Sequence, residues 1–320
     1  MTLPQNCIGV DIAKDWIDVF HASSSKHERI AMTKQSLARF ARAAKGRLVI
    51  CGSSGGYERP LTRALAEWGV DYARVNPRQA REFARATGQL AKTDKVDAQI
   101  LARMGRALDL KPTPPPAPEP AHLAELVARR EDLVTNIGRE TNRLDRAGDI
   151  WIIKEIKSLI NVLDKQLSAI EARIDAVIKA SCALTTANRR LRSVKGIGPV
   201  VASVLMARLP ELGQMDHRKT ASLASLAGLA GLAGLAPLAN DSGLRRGKRL
   251  IWGGRAEVRR ALYIAAKSAS QWDPVFIAFR KRLTDAGKPF KVATITCARK
   301  MLTILTAMFK NGEDYRKTPA

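Results

Sequence analysis

Three aspartates have the types and spacing to hold a divalent cation. Asp94 and Asp97 lie three residues apart in K-T-D-K-V-D-A-Q-I-L-A-R (Lys92 to Arg103), which has helical periodicity. On a helix that spacing puts both carboxylates on one face, about 60° apart around the axis. Asp11 stands at the end of an apolar strand in C-I-G-V-D-I (Cys7 to Ile12). Ionised carboxylates are hard oxygen donors of the kind preferred by Mg²⁺ or Mn²⁺. A further acid is expected where a second buried-type strand, R-L-V-I-C-G (Arg47 to Gly52), runs out, but position 52 is glycine. Glu58, six residues on and in the next predicted helix, is the alternative donor.

A second reactive group lies far along the chain. In N-D-S-G-L-R-R-G-K-R (Asn240 to Arg249), Ser242 precedes Arg245, Arg246, Lys248 and Arg249. A serine hydroxyl attacks a phosphate only when its proton is taken and cations neutralise the target. Taken alone, D-S-G is an ordinary turn. Upstream, L-R-S-V-K-G-I-G-P-V-V-A (Leu191 to Ala202) fits a helix-hairpin-helix, with Lys195, Gly196 and Gly198 in the turn. Its glycines permit close backbone approach, and the following helix offers unpaired N–H groups to a phosphate.

The elements that must position these groups follow from patterning. The first 110 residues alternate strand and helix: strands near Val10–Ile12, Trp16–Phe20, Arg29–Met32, Leu48–Cys51 and Tyr72–Val75, with helices around 36–45, 58–68 and 78–87. A hairpin meander followed by β-α-β-α is what a ribonuclease H-like sheet requires. Residues 111–120 hold six prolines and read as an extended spacer. Two long helical patterns occupy 121–180. In the second, Ile156, Ile160, Leu163, Leu167, Ile170, Ile174 and Val177 recur at steps of four and three, the seam of a coiled coil. In the first, Leu123, Val127, Val134, Ile137 and Leu144 keep the same register, interrupted at Arg130 and Thr141, so the two can pair as an antiparallel hairpin around Gly148. Such a hairpin packs either within one chain or between chains. Residues 181–320 read as mostly helical, broken by a run at 221–239 with leucine at every third position from Leu223 to Leu238. A period of three winds leucines around a helix instead of keeping them on one face.

Charge narrows the partners. The chain of 320 residues carries a net charge of +24, far beyond what solubility requires, and residues 242–320 hold 18 Lys and Arg against 5 Asp and Glu. A polyanion such as DNA is the natural partner. The four cysteines, Cys7, Cys51, Cys182 and Cys297, are isolated and read as reduced core thiols of a cytoplasmic protein, and the four histidines are too scattered for a zinc site. No signal-peptide pattern and no apolar run of about 18 residues is evident, so neither export nor membrane spanning is expected.

Taken together, these motifs resemble the transposases of the insertion sequence one-ten family, relatives of the Piv-type DNA invertases. The acids match the first half of the family pattern. V-K-G-I-G-P-V-V-A (Val194 to Ala202), A-P-L-A-N-D-S-G (Ala236 to Gly243) and G-G-R-A-E-V-R-R-A-L-Y (Gly253 to Tyr263) match the second. The resemblance implies an α/β plus α architecture. A ribonuclease H-like (RuvC-like) domain spans 1–110, a proline-rich linker 111–120 and a coiled-coil hairpin 121–180. A helical domain with a helix-hairpin-helix spans 181–320. It maps an Asp-Glu-Asp-Asp tetrad onto Asp11, Gly52, Asp94 and Asp97, with Gly52 departing from the pattern. It makes Ser242 the nucleophile that forms a phosphoserine link with DNA, and Mg²⁺ or Mn²⁺ the cofactor. Lys195, Gly196, Gly198, Arg245, Arg246, Lys248, Arg249, Arg255 and Arg259 become the nucleic-acid contacts. A structured guide RNA from the element is implied to choose the DNA partners. Because acids and serine lie in different domains, a composite site is implied, formed in a homo-oligomer, dimer or tetramer. The setting is nucleoid-associated in a prokaryotic cytoplasm. In the family only one or two leucine units are expected before the A-P, so 221–239 reads as an expansion. Two other functions use the same residues: a RuvC-like endonuclease acting on branched DNA, which needs the acids but not Ser242, and an inactive nucleic-acid-binding remnant, which Gly52 favours.

Overall fold

The computed structural model describes residues 7–53, 55–89, 93–113, 118–213, 235, 241–242, 245–247 and 254–315. The chain divides into two compact units, Met1–Pro116 and Ala117–Ala320.

The first unit is built on β1 (Cys7–Ile12), β2 (Trp16–His21), β3 (Lys26–Ala31), β4 (Leu48–Gly52) and β5 (Tyr72–Val75), with α1 (Lys34–Ala43), α2 (Arg59–Glu67), α3 (Pro77–Ala86) and α4 (Asp94–Ala107). The sheet order is β3-β2-β1-β4-β5. β1, β2 and β3 pair antiparallel through short turns, whereas β4 and β5 join in parallel because a helix intervenes before each. Alternation along β1 sorts the layers. Ile8 and Val10 pack with Leu37 and Phe40 of α1 and Leu61 and Leu65 of α2. On the other face Cys7 and Ile50 meet Leu101 and Met104 of α4. The third strand begins three residues earlier than its apolar signal, at Lys26. Pairing of β3 to β2 from His21 opposite Lys26 extends it through polar edge residues.

One contact sets where α4 lies. A β-carbon on Gly9 would stand 1.9 Å from the Ala98 carbonyl oxygen and 2.6 Å from the Ala102 amide nitrogen. The helix backbone therefore rests directly on β1, and only glycine fits beneath it. At the far end of α4, a β-carbon on Gly105 would stand 2.4 Å from Ile50 Cδ1.

The second unit opens with α5 (Pro118–Leu144) and α6 (Ile150–Ala180). The helix takes in Pro118 and Pro120, which corrects the reading of 111–120 as extended throughout. Proline needs no amide partner in a first helical turn. The two helices run antiparallel, tied by Arg130 Nε donating to Glu171 Oε1 at 2.8 Å and Arg129 donating to Gln166 at 3.2 Å. Arg130 thus sits within the seam with a partner. Leu133 is buried where the register anticipated Val134, which is exposed.

After α7 (Cys182–Arg192) and α8 (Pro199–Arg208) come a two-stranded ribbon, β6 (Asp241–Ser242) and β7 (Arg245–Arg246), and then α9 (Ala256–Trp272), α10 (Pro274–Asp285) and α11 (Phe290–Asn311). Leu191, Ile197, Leu205, Leu262, Phe276, Met301 and Leu305 share one core with the base of the hairpin at Leu123, Val127, Ile174 and Ile178. Among the described residues α11 is the one helix long and apolar enough to cross a membrane, but half of that stretch is buried in this core. Cys7, Cys51 and Cys297 are buried free thiols. Cys182, expected inside, is exposed at the start of α7. Of the run 221–239, all but the buried Leu235 lies outside the described residues, as do Lys248 and Arg249.

The steric contrast between two glycines gives a direct test. Gly9→Ala drives a methyl group into helix backbone and should cost about 3 kcal/mol or more. Gly52→Ala, where a β-carbon meets nothing within 4 Å, should stay within about 0.5 kcal/mol of the parent. Urea unfolding of both variants measures the difference.

Candidate functional site

The register of the sheet lines up four residues from four strands. Asp11 pairs with Asp18 across β1 and β2, and Asp18 with Arg29 across β2 and β3. On the other side, β1 and β4 pair as far as Val10 opposite Cys51, so Asp11 and Gly52 follow next to each other. The row reads Gly52, Asp11, Asp18, Arg29, on the face that carries α4.

α4 delivers the other two acids. Thr93 caps it, its hydroxyl oxygen accepting from the Val96 amide at 3.3 Å, so Asp94 and Asp97 fall in the first turn. There the unpaired amides and the helix dipole favour negative charge. Gly9, two residues before Asp11, holds the helix backbone against the strand that carries Asp11. Burial, then the charges of Asp97, Asp94 and Asp18, push the Asp11 carboxyl up from 3.8 to about 6, against an opposing hydrogen bond from the Ile12 amide. Arg29 partly offsets this field. Its Nε and Nη2 donate to the two Asp18 oxygens at 2.9 and 2.8 Å, and Nη2 lies 3.6 Å from Asp94 Oδ2.

The acids Asp11, Asp94 and Asp97 therefore share one electrostatic field. Their crowded negative oxygens suit a divalent cation in chemistry. Among the described residues, however, no three His, Cys, Asp or Glu side chains already converge as a ligand set. Glu58, the alternative donor, is buried and otherwise engaged. Its Oε2 accepts from the Gly56 amide at 2.9 Å and its Oε1 lies 3.8 Å from Arg74 Nη1. Asp18 and Arg29 were not singled out by sequence. The available signal was an aspartate in the middle of the apolar strand W-I-D-V-F (Trp16 to Phe20).

In the second unit, Ser242 lies on β6 directly opposite Arg245 of β7, and Asp241 opposite Arg246. Gly196, at φ +97°, lies where a β-carbon would stand 2.5 Å from the Ala265 carbonyl oxygen, so the turn before α8 is pressed onto α9. Lys195 Nζ donates to the Trp272 carbonyl at 3.3 Å. Gly198 is the cap residue of α8 and makes no side-chain hydrogen bond to the helix start. Arg255 is committed within the protein, its guanidinium holding both Glu211 oxygens at 2.7 and 2.6 Å and the Arg208 carbonyl at 2.7 Å. Arg259 is half-buried on α9 and also has a partner.

The raised Asp11 value has a consequence for stability. The folded protein holds this proton more tightly than the unfolded chain, so in metal-free buffer stability falls as pH rises from about 4 through about 6. Asp11→Asn removes that loss. It should be more stable than the parent at pH 7 by on the order of 1 kcal/mol, allowing for solvent screening, and equal to it near pH 4. Urea denaturation in chelator at both pH values checks the sign.

Sequence comparison finds matches in both units. Residues 8–147, from β1 into α5, match the model of DEDD-type IS110 transposases, and residues 188–281 match that of the transposase IS116/IS110/IS902 family. The pilin gene-inverting proteins of Moraxella lacunata and Moraxella bovis are each 26% identical over 325 residues, covering 97% of both chains. A 43.6 kDa protein of insertion element IS110 from Streptomyces coelicolor is 26% identical over 165 residues, 51% of this chain and 38% of its own. With both halves of the chain matched by models of the same family, the chain belongs to the IS110 family of transposases.

Proposed function

We propose that this transposase cuts and rejoins DNA with two sets of groups, Asp11, Asp94 and Asp97 on one unit and Ser242 on the other. The observation that carries the reading is the stacking of α4 on β1, which holds Asp94 and Asp97 in one field with Asp11. The sheet order, with α4 on the Asp11 face, supports a ribonuclease H-like (RuvC-like) domain. The tight Lys195–Gly198 turn before α8, whose cap residue Gly198 makes no side-chain hydrogen bond to it, supports a helix-hairpin-helix that receives a DNA phosphate.

Asp11, Asp94 and Asp97 would hold Mg²⁺ or Mn²⁺, which when bound lowers the cost of charge on attacking and leaving oxygens. Ser242 Oγ attacks the scissile phosphorus, its proton leaves, and the departing strand end takes up a proton as a 3′-hydroxyl. Attack by another 3′-hydroxyl on the phosphoserine then rejoins DNA and returns the proton to serine. One ester replaces another at each step, so no ATP is consumed. Arg245, across the ribbon from Ser242, together with Arg246, Lys248 and Arg249, would neutralise the phosphate. A guide RNA selecting the DNA partners fits a basic chain whose reading includes no base-reading helix. Assembly as a dimer or tetramer is supported by the exposed Ile150, Trp151, Leu159 and Val162 along α6. Gly52 favours a second reading, an inactive nucleic-acid-binding remnant.

A denaturing gel with labelled donor DNA separates these readings. The first expects a covalent adduct that needs Mg²⁺ or Mn²⁺, disappears in Ser242→Ala, and falls on the order of a hundredfold or more in Asp11→Asn and Asp97→Asn. Nicked product without adduct indicates a hydrolytic endonuclease, and no product indicates the remnant. Gly52→Glu, which the open space at that position admits, should increase Mn²⁺ binding and adduct together.

Electrostatic contact by the ribbon is tested separately. Neutralising Arg245, Arg246 and Arg249 together should flatten the slope of log affinity against log salt for duplex DNA by up to about 3 units. An unchanged slope removes these arginines from the interface.

A further inference from the structure

We propose that Arg29 is the resident counter-cation of the acid cluster, held in place by Asp18, and that a divalent ion engages Asp94 only in exchange for the Arg29 guanidinium. The inference rests on reading Asp11, Asp94 and Asp97 as ion ligands, and it adds two residues outside that set.

Asp18 is nearly fully buried and lies directly opposite Asp11. Like charges in cross-strand positions repel, and a buried carboxylate is costly without a partner. Both costs are met by one side chain. Arg29 takes the two Asp18 oxygens with two N–H groups at 2.9 and 2.8 Å, a planar fork that lysine cannot reproduce. The same guanidinium lies over the Trp16 ring, 4.8 Å from its centroid, which fixes the plane of the head group. So oriented, Nη2 points its charge to Asp94 Oδ2 at 3.6 Å, in the first turn of α4. Asp18 and Trp16 anchor the cation firmly. Asp94, whose side chain and that of Arg29 are each about half exposed, is bound more weakly. The Asp94 contact is the one that can be given up.

This division of labour predicts opposite effects from two neighbouring substitutions. Full-length protein is titrated calorimetrically with Mn²⁺ alone, and unfolded by urea in chelator. Arg29→Ala removes a positive charge beside the ligands, so the Mn²⁺ Kd should fall about tenfold. The metal-free protein should lose stability, because Asp18 is left buried and unpaired. Asp18→Asn removes a negative charge and frees the guanidinium to settle on Asp94, so Kd should rise about tenfold. Arg29→Lys keeps the charge but not the fork, so its Mn²⁺ Kd should fall between those of Arg29→Ala and the parent. If Arg29→Ala does not fold, Arg29→Gln carries the same expected tightening. A purely structural role weakens Mn²⁺ binding in both Arg29→Ala and Asp18→Asn. Shifts of equal sign, or no shift, therefore overturn this inference while leaving the acids as ligands. Failure of both the parent and Gly52→Glu to bind Mn²⁺ overturns it together with the ligand reading.

Discussion

The first unit depends on one backbone-to-backbone contact. α4 lies on β1 at Gly9 so closely that any side chain there would overlap the Ala98 carbonyl. Small residues on the helix, Ala98 and Ala102, complete the approach, and Gly105 repeats it over Ile50 near the other end. Hydrophobic burial alone draws a helix to a sheet but leaves its sliding loosely specified, whereas interlocked backbone and glycine fix it within a fraction of an ångström. Because Asp94 and Asp97 occupy the first turn of that same helix, the distance between them and Asp11 is set by packing at the neighbouring Gly9 and Ala98.

Against this rigid frame the charges are arranged at a cost. Asp11 is held near Asp18, Asp94 and Asp97, and its carboxyl is driven up to about 6 as a result. A fold selected for stability alone would place an apolar residue at Asp18, in the middle of a buried strand. Arg29 and the helix N-terminus make the crowding tolerable without abolishing it, the condition in which added positive charge is strongly favoured. The second unit uses the same packing device for its own turn. Gly196, in the turn before α8, is pressed onto α9 near Ala265 and Ala269, and Gly213, beyond the end of α8, onto Phe309 of α11.

Gly52 has a definite place in this picture. It ends β4 beside Asp11, on the same face, with open space where a side chain would stand. Its lack of a carboxylate is thus a chemical difference with no structural compensation pressing on it. Glu58 does not compensate within its present contacts, since it secures the Gly56 turn and faces Arg74.

Much of this was legible in the chain. The alternation of apolar residues in Cys7–Ile12, the continuous apolar run of Leu48–Gly52, the three-residue step from Asp94 to Asp97, and the Leu and Ile spacing of α6 are local patterns, legible without knowledge of the partners. So are the family motifs, which assign order and kinship without geometry. The identity of the residue across from Asp11 was not local. Asp18 and Arg29 join the acids only through strand register, which the β2 and β3 sequences do not encode on their own. The helical start at Pro118 and the burial of Leu133 in place of Val134 were likewise decided by helix phase and partner. The commitment of Arg255 to Glu211 was decided by an approach of residues 44 apart in sequence. The sequence by itself determined which groups could do chemistry and which faces they share within an element. Tertiary structure alone decided which charges stand next to one another, because pairing across strands and contact between helix and sheet are set by the summed packing of the whole unit.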